Sequence, residues 1–296
     1  MRGGKDASYW QEPAPNGSRT SFRRKAMANW IMDVDHGAGH LAARVIVNRL
    51  WQHHFGRGIV ATSSDFGQQG DPPSHPELLD WLASELIRNG WRLKPIHKLM
   101  MTTAAYQQSS KIDAAKEKVD PENFLLWRYS PWRLEAEAVR DSLLAITGEL
   151  DKTMYGPGTL NAGSNRRSIY FTIKRSKLVT MMMLFDVPEP LVSQGRRATT
   201  TIAPQALLLM NSPHVRRYAE TFSRQIAANA KTPAEQIRVA FSAALQRAPD
   251  DAELASLTEF LKEQQKSYGA AGNAAQLALA DLCQAVLSLN EVIYVE

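Results

Sequence analysis

Residues 44–94 read RVIVNRLWQHHFGRGIVATSSDFGQQGDPPSHPELLDWLASELIRNGWRLK, and this stretch sets out two helices with a firm stop between them. The first runs from Leu41 to Phe55 and is halted by Gly56 and Gly58. Residues 62–74, with Gly67, Gly70 and Pro72-Pro73, read as a loop. Ser74-His75-Pro76-Glu77 opens the second helix. Ser74 is placed to cap it, Pro76 fits the first turn, and Glu77 stands where a capping box needs its carboxylate. Leu79, Leu82, Ala83, Leu86 and Ile87 recur at helical spacing and make one apolar face. Gly90 ends the helix, and Trp91 folds back over its last turn.

Reading outward, Pro95 begins another helix with Ile96, Leu99, Met100 and Thr103 on one side. Asp120-Pro121 and Ser130-Pro131 read as two further helix starts. The second leads into WRLEAEAVRDSLLAITGEL (132–150), with Ala136, Val139, Leu143, Ile146 and Leu150 toward a core and Arg133, Glu137, Arg140 and Asp141 opposite. A loop over 148–167 feeds RSIYFTIKR (167–175), where Ile169, Phe171 and Ile173 alternate with Tyr170, Thr172 and Lys174 as in a strand. Helices resume near Pro204, with a capping-box start at Thr232-Pro233-Ala234-Glu235 and a break at Pro249-Asp250. The expected class is therefore mainly α, a multi-helix domain with a small β element near residues 166–175. Residues 1–20 are expected to be an irregular extension, and 21–296 a single domain: helical over 40–150, loop and strand over 151–195, helical over 196–296.

Composition narrows the function classes. A chain of 296 residues, 44% hydrophobic, is long enough to build a substantial core and stands where one core begins to split into two. No apolar run is long enough to span a bilayer, and the first residues lack the apolar centre of a signal peptide. Either the protein stays inside the cell or this chain is a piece of a longer exported one. The single cysteine, Cys283, excludes an internal disulfide and a cysteine-built zinc cluster; its apolar neighbours make it a small core residue. No Cys-x-x-Cys-His occurs, so this chain attaches no c-type haem. The net charge of +5 favours anionic partners, but the basic pairs are scattered and form no nucleic-acid face; nucleic acid is not an expected partner.

Several long motifs occur in order: RVIVNRLWQHHFGRGIVATSSDFG (44–67), SHPELLDWLA (74–83), GWRLKPIHKLM (90–100), RLEAEAVRDSLL (133–144), RRSIY (166–170), RRATTTIAPQALLLMNSP (196–213) and LCQAVLSLNEVIYV (282–295). In these motifs the chain resembles the planctomycete-type domain of unknown function 1553, the PSD family, over nearly everything after about residue 20. His36-Gly37-Ala38-Gly39-His40 departs from the His-Pro-Leu-Thr pattern that the family leads one to expect there. The resemblance implies an exported, extracytoplasmic multidomain protein with a c-type cytochrome domain upstream. Any haem would sit on that upstream domain, and no cofactor is expected in this chain. It implies no established reaction.

Three groups of residues carry chemistry on paper. His75, with Asp65 and Asp71 on the preceding loop and with Glu77, has the nitrogen and oxygen groups of an acid–base or metal-assisted hydrolase acting on polysaccharide, centred on Asp65, His75 and Glu77, with Arg44 or Arg49 as ligand-binding neighbours. No metal is assigned, and for Glu77 a solvated helix face is the plain alternative. Trp51, one turn from Asn48, can stack on a sugar ring or pack in the core. The stretch GRRATTTIAPQ places Arg196, Arg197 and Thr200 before a helix start, an arrangement that suits an anion such as an acidic polysaccharide; Arg166 and Arg167 would be a second wall. Alternatively these arginines pair with Glu135, Glu137 or Asp141 and hold parts of the fold together. Asp65-Phe66-Gly67 lacks every other kinase motif, and Gly158–Ser164 lacks a phosphate-loop lysine. With no complete catalytic set, the first expectation is a non-catalytic binding or scaffolding module.

Overall fold

The apolar face read over 79–87 decides the first half of the structure, a computed structural model that describes residues 5–14, 16–174, 176–191, 194–269 and 272–295. The chain divides by its contacts into two compact units, the first ending at Pro131 and the second spanning Trp132–Val295. Among the described residues it is mainly α-helical, as its sequence leads one to expect.

The first unit holds α1 (Arg23–Met32), α2 (Gly39–Phe55), α3 (Pro76–Arg88), α4 (Leu93–Met101) and the short α5 (Ala104–Gln107) and α6 (Ala114–Val119). Leu79, Leu82, Ala83 and Leu86 of α3 are buried in one cluster with Ala43, Val47, Trp51 and Phe55 of α2 and Ile96 and Met100 of α4. Each large side chain so buried contributes about 1.5–3 kcal/mol relative to exposure. Gly56 stops α2 in the left-handed conformation (φ 76°). At the end of α3, Gly90 N–H bonds the Ile87 carbonyl and Trp91 N–H the Leu86 carbonyl, both at 2.9 Å. That is the paired bonding of a Schellman stop, and it folds the half-buried Trp91 back against the cluster.

Three helix starts differ from the sequence reading; after Ser130-Pro131 the chain runs extended and the helix begins only at Ala136. The N-cap of α3 is His75, without a side-chain cap bond, so Ser74 and Glu77 form no capping box. The Ser74 hydroxyl is drawn off: it and the Ser74 N–H both donate to the Ile59 carbonyl (3.2 and 2.9 Å). Asp120-Pro121 starts no helix; Asp120 ends α6. Its carboxylate accepts from the N–H groups of Phe124 (2.9 Å) and Leu125 (2.7 Å), which closes a turn instead.

The second unit opens with β1 (Trp132–Arg133), which pairs antiparallel with β2 (Tyr294–Val295) at the other end of the unit. Between them lie α7 (Ala136–Ile146), α8 (Thr180–Leu184), α9 (Ala203–Asn211), α10 (Pro213–Asn229), α11 (Pro233–Leu245), α12 (Asp251–Ser267), α13 (Ala274–Leu287) and α14 (Asn290–Ile293). Its core gathers Val139 and Leu143 of α7, Tyr218 and Phe222 of α10, Phe241 of α11 and Leu279, Leu282 and Cys283 of α13. Burial pushes the Cys283 thiol up to about 12, so it packs as a small apolar group and stays un-ionised. The box at Thr232 forms as read: its hydroxyl accepts from Glu235 N–H (3.3 Å) and the Glu235 carboxylate accepts from Thr232 N–H (3.0 Å).

The alternating stretch does not become a regular strand over 167–174; Arg175 lies outside the described residues. Ser168–Tyr170 form a 3-10 turn, and the neighbourhood holds the isolated bridges Asp151↔Arg166, Thr159↔Phe171 and Lys174↔Lys177. The cause lies in α7. Asp141 accepts from both the N–H (2.8 Å) and the hydroxyl (2.7 Å) of Ser168. Arg140 donates to the carbonyls of Ser164 and Arg166. These bonds turn the backbone where a strand would run straight. The charged stripe read over 133–141 is likewise not all outward: the side chains of Arg133 in β1 and Arg140 in α7 are each only 2% exposed.

Candidate functional site

In the first unit the site is built by the return of the chain after α2. Val60 N–H donates to Asn48 Oδ1 (2.8 Å) and Asn48 Nδ2 donates to the Val60 carbonyl (3.0 Å). Gly58 is needed beside this clasp, because a Cβ there would come within 2.7 Å of Asn48 Nδ2 and 2.6 Å of the Val60 carbonyl oxygen. Asn48 is fully buried and its amide is consumed, so it supports the site and is not a ligand group. Beyond it opens a cleft of about 460 Å³, lined among others by Trp51, Arg57, Asp71, His75, Glu122 and Phe124. Trp51 is 7% exposed and stacks on Phe55 with ring centres 4.1 Å apart. Arg57 lies 3.9 Å over the Phe124 ring and 3.8 Å from the Glu122 carboxylate.

Of the residues proposed from sequence, the cleft brings Trp51, Asp71 and His75 together; Asp65 and Glu77 do not line it. Asp65 turns back to accept from Gly67 N–H at 2.8 Å. Glu77 is exposed on the first turn of α3. Arg44 lies 3.0 Å from Asp80, and Arg49 is exposed. The imidazole of His75 has Nδ1 3.0 Å from the Ser74 hydroxyl, and no described carboxylate bonds it. Acid–base catalysis asks for a base held by an orienting partner. Here the orienting partner is a hydroxyl that itself donates to Ile59. Among the described residues no group of three His, Cys, Asp or Glu is placed to hold a metal ion.

The same unit contains a histidine pair that sequence reading passed over. His54 Nε2 and His97 Nδ1 are 2.8 Å apart, and Tyr106 packs edge-on against His54. Burial, followed by the nearby His97 and His53, holds the His54 imidazole below its usual range. A base whose folded pKa is depressed gives stability that is full above its unfolded value, about 6.5, and is lost as pH falls through the folded value. The urea midpoint of the protein is therefore expected to drop as pH falls from about 7.5 to 5. Part of that drop disappears in His54→Gln. An unchanged slope in the variant would remove His54 as its source. The spacing of His54 and His97, on separate helices 43 residues apart, left no signal by which to find the pair.

In the second unit the arginines divide by partner. Arg166 is spent inward: it donates to the carbonyls of Pro157 (3.0 Å), Thr153 (3.4 Å) and Tyr155, and lies 3.8 Å over the Tyr170 ring. Arg197 lies 2.7 Å from Glu137 and 3.1 Å from Glu135. Burial works against its charge, yet the bond to Glu137 and the two carboxylates keep its pKa above the ordinary value. Thr200 gives its N–H and its hydroxyl to Asp186, each at 2.8 Å, and Asp186 also pairs with the buried Arg133. Arg197 and Thr200 thus fasten the segment before α9 to the start of α7 and to the turn after α8, the structural alternative to an anion site. Arg167 and Arg196 remain exposed, the first 4.0 Å from Asp141 and the second without an acidic partner among the described residues.

Beside this network lies a groove of about 510 Å³ whose floor is apolar, with Phe171, Val179, Met182 and Val187, and whose rim carries Glu135, Glu137, Asp141, Arg167 and Lys177. Ile169 and Ile173 flank it and are 71% and 67% exposed. The strand-like alternation singled out these residues, without indicating that they stand at the surface. No helix among the described residues is long and apolar enough to cross a membrane.

The family model described as "Protein of unknown function (DUF1553)" matches residues 23–261, most of the chain. No curated protein and no solved structure matches it.

Proposed function

The chain belongs to this family of proteins of unknown function (DUF1553), and on that premise we propose that it is a binding or scaffolding module of an exported, cytochrome-associated multidomain protein. The observation that carries the reading is the groove of the second unit, with two isoleucines left largely in solvent at its edge. Large apolar side chains gathered at a concavity and rimmed by charge mark a surface that takes a partner. The partner is a neighbouring polypeptide, an upstream cytochrome c-type domain or protein, and the haem is carried there. The test is a photo-crosslinking residue placed at Ile173 in the protein made in its own source cells. A crosslink to an exported or haem-bearing polypeptide is the expected result. A crosslink to nothing but solvent-exposed parts of the same chain would defeat the reading.

A second reading rests on the cleft of the first unit, where His75 meets Asp71, Glu122 and the Trp51 and Phe124 rings. Carboxylates beside aromatic rings suit a saccharide, and this is the form in which a polysaccharide hydrolase survives. Turnover of an oligosaccharide panel by the purified chain, lost in His75→Ala, would put this reading first. No turnover across the panel would remove it.

A further inference from the structure

Residues 167–174 have the alternation of a strand but only fragments of a strand's pairing. Thr172 N–H donates to the Thr159 carbonyl (2.8 Å), and Thr159 N–H donates to the Tyr170 carbonyl (2.9 Å). Successive residues of an extended chain present their N–H and C=O to opposite edges, so Thr172 serves one edge while Phe171 and Ile173 serve the other. On that other edge the Ile173 N–H and the carbonyls of Phe171 and Ile173 have no partner among the described residues. Beside them lies the apolar groove, and Ile169 and Ile173 stand out of it. We infer that this edge is completed by an extended segment of a partner polypeptide, in which apolar residues alternate with acidic ones.

Charge selects the acidic residues. No Asp or Glu occurs between Lys152 and Phe185, while Arg167, Lys174 and Lys177 are exposed along the edge. The carboxylates across the groove have cationic partners: Glu135 and Glu137 share Arg197, and Asp141 lies 3.5 Å from Arg140 and 4.0 Å from Arg167. The cations at the edge without an acidic partner among the described residues are Lys174 and Lys177. The same count argues against a second copy of this chain, because two basic edges laid side by side repel. An added strand gains affinity from main-chain bonds and specificity from alternate side chains, here apolar into the groove and acidic toward the lysines.

This inference rests on the binding-module reading and can fail without it. A displayed library of short random peptides is selected against the purified protein. Enriched peptides are expected to alternate apolar and acidic residues and to bind more weakly as salt rises. Ile173→Asp should weaken binding about tenfold or more, the size expected when one buried isoleucine contact is replaced by a charge facing acid. Because Ile173 is largely exposed, that variant should keep the parent's thermal midpoint. Methylating every second backbone nitrogen of an enriched peptide should abolish binding, since the ladder loses its donors. No enrichment, enrichment of basic or helical peptides, or binding indifferent to backbone methylation would each overturn the inference. In any of these cases a crosslink from Ile173 to a neighbouring polypeptide would still leave the binding-module reading standing.

Discussion

Replacing Arg140 by methionine is expected to lower the stability of the second unit by about 3 kcal/mol, a large part of what a domain of this size has to lose. The guanidinium is almost wholly buried and donates to the Ser164 and Arg166 carbonyls and to Ser168 Oγ (3.2 Å), with Asp141 3.5 Å away. Burial depresses its pKa, although Tyr218 and Asp141 oppose that, and a guanidinium stays charged regardless. Methionine fills much of the stem's volume, so the loss is chiefly that of two half-buried carbonyls left without this donor. Arg140→Lys should recover only part of it, because a single ammonium cannot reach both carbonyls and the Ser168 hydroxyl as the planar fork does. Urea denaturation of the three proteins measures this. The consequence reaches the surface: the carbonyls that Arg140 holds belong to the segment that carries Ile169 to the groove. Peptide binding should therefore fall in Arg140→Met under conditions where the protein is still folded. A stability loss below about 1 kcal/mol would mean that Asp141 and Ser168 hold the segment by themselves.

Arg140 also marks how far the sequence could be read. Ala136, Val139, Leu143 and Leu144 are buried on the same helical stripe that includes position 140. The spacing was visible, but an arginine within an apolar stripe reads as outward-facing until one knows that carbonyls wait for it, and those lie 24 and 26 residues further on. Local patterns were legible because their physics is local. The stop at Gly56, the box at Thr232 and the apolar face of α3 depend on a few neighbours in sequence. The start at Ser74 was misread for the opposite reason: its hydroxyl answers Ile59, fifteen residues back. The groups of the two candidate sites come from separated segments in the same way. Asp71 and His75 meet Glu122 and Phe124 only through the fold, and nothing in the order of residues links His54 to His97. Motif matching named the family and left the site to geometry.

Asn48→Asp should be as damaging at neutral pH as the loss of Arg140, and it should be reversible by acid. The amide of Asn48 does two things at once: it accepts from Val60 N–H and donates to the Val60 carbonyl. A carboxylate keeps the first bond and turns the second into a repulsion between two oxygens about 3 Å apart, at a fully buried position. Burying an unpaired charge of this kind costs several kcal/mol, so the expected loss is about 3 kcal/mol or more at pH 7. A protonated carboxyl differs: its O–H can donate to Val60 while its other oxygen accepts. The introduced group is therefore expected to have a folded pKa raised above the unfolded value of about 3.9. Its stability is fully present below that unfolded value and is lost as pH rises through the folded one. The variant should approach the parent near pH 4 and fall away toward pH 7, the reverse of the slope expected from His54. Parallel denaturation curves for parent and variant across that range separate the two titrations. A deficit in the variant that does not change with pH would show that the Val60 carbonyl had found another donor, and the clasp that shapes the mouth of the cleft would have to be assigned to Gly58 and the turn after α2 instead.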